Sequence, residues 1–223
     1  IYSSKFGRKL SFLGGTAMRI CYDGNRFSED LDFDNFGLSK KEFEEMSELI
    51  RKELSREGYN VEYRNVYKGA YHTYLKFSDI LFENKLTAMK SEKIMIQIDT
   101  VQESVDYTPN ILVLAKFDVF RNIKVTPVDI ILSKKIGAVF GRKRVKGRDF
   151  YDIVFLKGFT DFNYDYLKEK FDIKNKQDLK KRLLEKIADL DLKKLARDVE
   201  PFLINQDEKA RVTDFREYIE QKL

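Results

Sequence analysis

Residues 10–34 read LSFLGGTAMRICYDGNRFSEDLDFD. The apolar segment Leu10–Leu13 is predicted to be a short strand that is broken by Gly14 and Gly15. Residues 16–22 contain helix-forming side chains and no breaker, so a helix is expected directly after the glycine pair. The segment therefore predicts the order strand, glycine turn, helix.

A glycine pair between a strand and a helix can bind an anion. Glycine lets backbone N–H groups approach a ligand closely, and the N-terminus of a helix favours negative charge. Gly14, Gly15 and Thr16 are therefore candidate phosphate-binding residues. The alternative is that the glycine pair only makes a turn.

Two aspartates follow on the next predicted strand. Residues i and i+2 of a strand point to the same face, so Asp30 and Asp32 would present two carboxylates together while Leu31 and Phe33 enter the core. Neighbouring carboxylates repel each other, and Mg²⁺, which binds carboxylate oxygens together with substrate phosphates, relieves this repulsion. An acidic, exposed strand face is the alternative. The glycine turn followed by the carboxylate pair favours the metal site.

Asp99 is the predicted third carboxylate. It follows the alternating residues Ile94, Ile96 and Ile98 and is expected at the tip of a central strand, within reach of the first pair. A third carboxylate would allow two metal ions to clamp the attacking and leaving oxygens of a phosphoryl or nucleotidyl transfer. Alternatively, Asp99 ends the strand and opens a turn with Thr100.

The chain is predicted to divide near residue 125. Ser39 and Glu42 form a capping box for a helix that Gly58 ends. Thr126 is predicted to cap another helix with its hydroxyl, with Pro127 at the first helical position. Residues rich in β-branched and aromatic side chains predict strands at about 59–67, 70–78, 93–99 and 110–124. The later helices are expected at about 127–141, 148–158, 163–171, 176–198 and 208–222. We therefore predict an α/β (α+β) domain with a mixed sheet over residues 1–125 and an all-helical domain over residues 126–223.

The composition restricts the class of protein. With 43% apolar and 35% charged residues, the chain is expected to be globular. No apolar run approaches the ~18–20 residues of a membrane-spanning helix and no signal-peptide pattern opens the chain, so we expect a soluble, cytoplasmic protein. A single cysteine, Cys21, and a single histidine, His72, exclude a disulfide framework and a zinc site of Cys and His ligands.

Positive charge is concentrated in one segment. Residues 133–148 carry seven basic side chains and no acidic one, so the net charge of +5 leaves the rest of the chain slightly negative. Such a cluster suits a phosphate-bearing partner, either a nucleotide or RNA. A solvated surface without further purpose is the alternative. The basic residues are Lys134, Lys135, Arg142, Lys143, Arg144, Lys146 and Arg148.

Lys135 falls within the apolar stripe of its predicted helix, with Ile131 and Ile136 as neighbours. Its ammonium would either extend past these neighbours to solvent or lie over a site that contains phosphate. Asp149 and Asp152 lie three residues apart on the next predicted helix. Each could be a cap or a salt-bridge partner of Lys135 or Arg142, and for Asp149 the cap is the favoured interpretation.

Four motifs, in this order, resemble the AbiEii/AbiGii-type nucleotidyltransferase toxins of the DNA-polymerase-β-like nucleotidyltransferase superfamily. They are LGGTA at 13–17, RFSEDLDF at 26–33, Lys135-Ile136-x-Ala138 with Arg142, and GRDFYDI at 147–153. The superfamily glycine motif is more often Gly-Ser, and here it is Gly-Gly-Thr, as in this toxin family. No specific resemblance is found after Tyr166.

The resemblance implies roles for individual residues. Asp30 and Asp32 match the metal-binding catalytic carboxylates, and Asp99 matches the third one by its position on a later strand. Lys135 and Asp152 match a later lysine and aspartate that support catalysis or nucleotide binding. The implied nucleotide-binding residues are Gly14, Gly15, Thr16, Arg26, Ser28, Lys135 and Arg142, and the implied RNA-binding residues are Arg142, Lys143, Arg144, Lys146 and Arg148.

The resulting hypothesis is a nucleotidyltransferase-like domain, followed by a helical domain that contributes Lys135 and Asp152 to the site. It would use Mg²⁺ or Mn²⁺ to transfer a nucleoside monophosphate from an NTP to an acceptor hydroxyl, with the 3′ end of tRNA as the expected acceptor. The resemblance further implies a toxin of a type IV toxin–antitoxin or abortive-infection phage-defence system, with a separately encoded antitoxin.

Other functions remain open at the level of the sequence. A catalytically inactive nucleotide- or RNA-binding module would keep the basic cluster without the chemistry. A γ-phosphoryl transferase acting on a protein or small molecule could use a metal ion bound in the same way. A metal-dependent nuclease and a DxD glycosyltransferase fit less well, because the first lacks its carboxylate–lysine arrangement on the Asp99 strand and the second does not need a Gly-Gly-Thr turn.

Overall fold

The computed structural model describes all residues from 1 to 223, and they fall into two compact units. The sheet unit contains residues 1–22, 29–103 and 109–125. The helical unit contains residues 126–223 together with the short segments 23–28 and 104–108. Those two segments were not anticipated from the sequence: Phe27 N–H donates to the Phe202 carbonyl, and Val105 packs against Ile130 and Tyr166.

The sheet unit contains one mixed sheet, as predicted, and this sheet has seven strands. The strands are β1 (Leu10–Leu13), β2 (Leu31–Asn35), β3 (Val61–Tyr67), β4 (Tyr71–Phe77), β5 (Ile94–Gln102), β6 (Asn110–Lys116) and β7 (Val119–Val125). Their order is β3-β4-β5-β2-β1-β7-β6. β2 is central: it pairs with β1 in antiparallel and with β5 in parallel orientation.

The segment predicted as one strand at 110–124 is a hairpin of β6 and β7. Phe117 and Asp118 form its turn with φ angles of +56° and +59°. Two successive residues with positive φ match the twist of a two-residue hairpin turn. The sequence did not reveal this turn because neither residue is one of the usual glycine or asparagine signals.

The sheet unit also contains helices α1 (Gly14–Cys21), α2 (Lys40–Arg56) and the single turn α3 (Ile80–Glu83). The predicted capping box at Ser39 and Glu42 begins α2, and Gly58 follows its end with φ +92°. The core of the unit includes Phe43 and Met46 of α2 together with Phe33 and Ile98 of the sheet, all buried. Because these side chains occupy the core-facing side of each strand, the opposite side is available for other contacts.

The helical unit contains α4 (Val128–Gly141), α5 (Gly147–Lys157), α6 (Tyr164–Phe171), α7 (Lys176–Ile187), α8 (Leu192–Val199), α9 (Ala210–Thr213) and α10 (Phe215–Lys222). The single helix predicted at 176–198 is wrong, because Asp191 accepts a hydrogen bond from the Lys194 N–H and starts a separate helix there. The helix predicted at 208–222 is interrupted between α9 and α10. None of the helices is long and apolar enough to cross a membrane.

The predicted cap at Thr126 is also wrong. α4 begins at Val128 with Pro127 in the cap position, and no side chain caps it. The Thr126 hydroxyl instead shares a hydrogen bond of 2.8 Å with the Tyr107 hydroxyl, which joins segment 104–108 to the start of α4.

Candidate active site

The N-terminus of α1 lies directly after β1. Leu13 occupies the cap position without a side-chain cap bond, so the first N–H groups of the helix, on Gly14, Gly15 and Thr16, have no acceptor within the helix. Together with the helix dipole, these groups would favour the binding of an anion at this end of the helix. The Thr16 hydroxyl donates a hydrogen bond to the Asp30 backbone carbonyl, with 2.5 Å between the two oxygens. A contribution of Thr16 to phosphate binding would therefore come from its N–H.

Gly14 lies against Asp32. A Cβ atom at position 14 would be 2.0 Å from Asp32 Oδ2 and 2.8 Å from its Cγ, and the φ of Gly14 is +78°. Both the backbone conformation and the close approach require glycine here. The structure thus brings the glycine turn and one of the predicted metal-binding carboxylates together.

Asp32 and Asp99 are neighbours across the parallel β2–β5 pair. Phe33 and Ile98 enter the core, so Asp32 and Asp99, one residue away from them, face the other side of the sheet. The prediction that Asp99 lies at a strand tip is wrong, and so is the alternative that it opens a turn, because β5 continues to Gln102. Asp30 lies one residue before β2 rather than on it.

Asp99 has two hydrogen-bonding partners that were not predicted from the sequence. His72 Nδ1 lies 2.7 Å from Asp99 Oδ1, and Gln97 Nε2 lies 2.8 Å from Oδ1 and 2.9 Å from Oδ2. Gln97 was detectable, because it is two residues from Asp99 on the same strand. His72 was not, because its position opposite Asp99 depends on the register of β4 against β5.

The donor set suits a hard cation that keeps most of its water. No group of three or more His, Cys, Asp or Glu side chains is arranged to hold a metal ion. Mg²⁺ is commonly bound by only one or two carboxylates together with substrate phosphates and water. The adjacent carboxylates Asp32 and Asp99 fit this mode of binding.

A second cluster of charged residues lies within the helical unit. Lys135 Nζ is 2.6 Å from Asp152 Oδ2, and Arg26 Nε and Nη2 donate to the two Asp152 oxygens at 2.6 and 2.7 Å. Burial alone would raise the pKa of Asp152, but Lys135 and Arg26 together outweigh burial and hold the pKa below its ordinary value. Asp152 is therefore a buried carboxylate with two cationic partners.

Asp149 is a salt-bridge partner and not a cap. Lys146 is the cap residue of α5, and no side-chain bond caps this helix. The fully buried Asp149 carboxylate instead lies 3.6 Å from Lys135 Nζ and 3.1 Å from Arg142 Nη1. The alternative in which both aspartates form salt bridges with Lys135 or Arg142 is confirmed. These salt bridges explain why a lysine lies within the apolar stripe of α4.

In the structure, Arg26 has a buried guanidinium that is fully engaged in contacts within the helical unit. Only 3% of its surface is exposed, and its third guanidinium nitrogen, Nη1, donates to the Phe27 carbonyl at 2.9 Å. Its contact with a nucleotide stays a prediction, as does that of the partly buried Ser28. In the basic segment, Lys143 and Arg144 are exposed, whereas the other implied RNA-binding residues, Arg142, Lys146 and Arg148, are partly buried.

Comparison with known families assigns the chain. The family model described as "Nucleotidyl transferase AbiEii toxin, Type IV TA system" matches residues 1–221. The chain belongs to the AbiEii family. As an AbiEii-family protein it is a nucleotidyltransferase of the toxin class found in type IV toxin–antitoxin systems.

Two solved structures from Helicobacter pylori share the fold of this AbiEii-family protein. JHP933 has a TM-score of 0.54 at 18% identity, over 96% of this chain and 85% of that one. A second protein, provisionally described as a nucleotidyltransferase, has a TM-score of 0.52 at 17% identity, over 96% of this chain and 88% of that one. Both support a mixed sheet followed by helices. Comparison with curated protein sequences gives no significant match.

Proposed function

We propose that this AbiEii-family protein is a Mg²⁺-dependent (or Mn²⁺-dependent) nucleotidyltransferase that transfers a nucleoside monophosphate from an NTP to a hydroxyl at the 3′ end of tRNA. It would act in the cytoplasm and be countered by a separately encoded antitoxin. The observation that carries the proposal is the contact of Gly14 with Asp32, which joins an anion-binding helix N-terminus to a carboxylate.

Each residue has a defined part. Asp32 and Asp99, with Asp30 before the strand, would hold the metal ion, which when bound offsets the charge of the triphosphate and favours ionisation of the acceptor hydroxyl. The N–H groups of Gly14, Gly15 and Thr16 would bind phosphate oxygens. The acceptor oxygen forms a bond to the α-phosphorus, the bond from that phosphorus to the bridging oxygen breaks, pyrophosphate leaves, and the hydroxyl proton passes to solvent.

An RNA acceptor is supported by the basic segment. Residues 142–148 contain five basic side chains, of which Lys143 and Arg144 are exposed. Such a cluster attracts a phosphate backbone independently of base sequence. The roles of Lys135 and Asp152 in nucleotide binding or catalysis stay predictions from the family motifs.

Incubation with each α-³²P-labelled NTP, Mg²⁺ and total RNA or cell protein, followed by a denaturing gel, tests the proposal. Label is expected on RNA of tRNA size with the wild type and not with Asp32→Asn. The melting temperature of that variant should be unchanged or raised, because it relieves repulsion between neighbouring carboxylates. Asp118→Asn, in the exposed β6–β7 turn, removes one negative charge elsewhere in the sheet unit and should transfer normally.

A parallel reaction with γ-³²P-labelled NTP separates the alternatives. Label from the γ-phosphate and none from the α-phosphate would replace the proposal with phosphoryl transfer. Absence of label in both reactions, with NTP still bound, would indicate the non-catalytic binding module. Label on protein rather than RNA would overturn the proposed acceptor alone.

A further inference from the structure

His72, the single histidine of the chain, lies in a row of polar residues across the sheet. It is opposite Asp99 in the β4–β5 pair, and Asp99 is opposite Asp32 in the β2–β5 pair. The side chains of His72 and Asp99 are each 21% exposed, so both are mostly shielded but reach solvent. The row therefore joins an unassigned histidine to the proposed metal-binding carboxylates.

The hydrogen bonds of Asp99 leave one acceptor position of its carboxylate unused. A carboxylate has about four acceptor positions, two on each oxygen. Oδ1 contacts two donors, His72 Nδ1 and Gln97 Nε2, whereas Oδ2 contacts Gln97 Nε2 alone. An ionised carboxylate only accepts, so His72 Nδ1 carries the proton in this bond. One acceptor position remains on Oδ2, which suits binding of a cation through a single oxygen.

We propose that His72 is a positioning residue for Asp99. Its Nδ1–H, with the Gln97 amide, holds the Asp99 carboxylate in one orientation and leaves Oδ2 to bind the metal ion. The inference rests on the proposed function, since it assumes that Asp99 is a metal ligand. Partners that orient a ligand carboxylate typically change metal affinity 10- to 100-fold when they are removed.

Mn²⁺ binding to the full chain, measured by the loss of the free-ion electron paramagnetic resonance signal, tests this without any turnover. The amide nitrogen of asparagine can take the place of His72 Nδ1, whereas that of glutamine reaches nearer the position of Nε2. We expect His72→Asn to bind Mn²⁺ with nearly wild-type affinity, and His72→Gln and His72→Ala to bind about 10- to 100-fold more weakly. Tyr74→Phe, on the same face of β4, is the matched control, and Asp99→Asn is the reference for a lost ligand.

Melting temperatures of the same variants separate positioning from folding. A merely structural role predicts that affinity falls only where the melting temperature falls, including in His72→Asn. Wild-type affinity in His72→Ala would overturn the inference, and so would equal weakening in His72→Asn and His72→Gln, because Nδ1 would then not be the atom that matters. If the wild type does not bind Mn²⁺ and Asp99→Asn changes nothing, the proposed metal site itself is wrong and the inference is overturned with it.

Discussion

Asp32 Oδ2 occupies the space in which a side chain at Gly14 would begin. The same glycine has a positive φ and is the first residue of α1. One position therefore controls both the helix N-terminus that would bind phosphate and the carboxylate that would bind the metal ion. A change at this position is expected to alter both groups at once.

Gly14→Ala should abolish nucleotidyl transfer. Its left-handed backbone costs about 1–2 kcal/mol of stability with any L side chain, and its Cβ would also displace Asp32. Gly69→Ala is the control, because Gly69 has φ +72° but nothing within 4 Å of its Cβ position. Denaturant unfolding should give similar backbone losses for both, with transfer lost only in Gly14→Ala. Wild-type transfer by Gly14→Ala would contradict the role of this contact.

Thr16 should matter through its bond to the backbone at Asp30. Thr16→Ser keeps a hydroxyl that can donate to the Asp30 carbonyl, whereas Thr16→Val does not. We expect Thr16→Val to lose about 1 kcal/mol of stability and to transfer more slowly, and Thr16→Ser to remain close to wild type. Kinetics with varied NTP and urea unfolding measure the two effects. Loss of activity in Thr16→Ser together with wild-type activity in Thr16→Val would indicate that the methyl group, not the hydroxyl, is needed.

Asp152→Asn should destabilise the protein at neutral pH. Arg26 and Lys135 would lose their shared, buried counter-charge, and breaking a buried ion pair costs on the order of 3–5 kcal/mol. Asp161→Asn removes the mostly exposed partner of Lys157 and is expected to cost under about 1 kcal/mol. Guanidinium unfolding at pH 7 compares the two variants. A cost at Asp152 no larger than at Asp161 would refute the structural importance of the cluster.

The stability difference between the wild type and Asp152→Asn should also depend on pH. The folded pKa of Asp152 lies below the ordinary value of 3.8, so its contribution is fully present above about pH 4. As the pH falls below 3.8, the unfolded chain binds a proton that the folded chain does not, and the contribution is lost progressively down to the folded pKa. Unfolding at pH 7, 4 and 3 should show the difference shrinking only at the lowest pH. A difference that is constant across this range would contradict the lowered pKa.

Gly147→Ala should destabilise the helical unit. A Cβ at Gly147 would lie 1.9 Å from the backbone carbonyl oxygen of Leu195 in α8, which cannot move aside as a flexible side chain can. Overpacking of this kind costs about 1–3 kcal/mol. Gly141→Ala, at the end of α4 with nothing within 4 Å, should leave stability unchanged or slightly higher. Equal melting temperatures for the two variants would show that α5 and α8 can separate freely.

The elements with strong local signals could be predicted from the sequence. The glycine turn between β1 and α1, the capping box of α2 and the helix that carries Lys135 follow from patterns of two to four residues. The predicted bounds of helices and strands are wrong where the local sequence pattern is weak or fits more than one structure. A turn without glycine hid the β6–β7 hairpin, and an uninterrupted helical composition hid the break at Asp191.

The sequence by itself determined the chemistry that is available: the glycine pair Gly14 and Gly15, the carboxylates Asp30 and Asp32, and the concentration of basic residues over 133–148. Only the tertiary structure decided how these groups are partnered. His72 meets Asp99 through the register of two strands, and Arg26 meets Asp152 across 126 positions of the chain. Local patterns repeat every 2 or 3.6 residues and specify which face a side chain takes. Which strand or helix lies opposite that face depends on the packing of the whole unit, and no short segment contains that information.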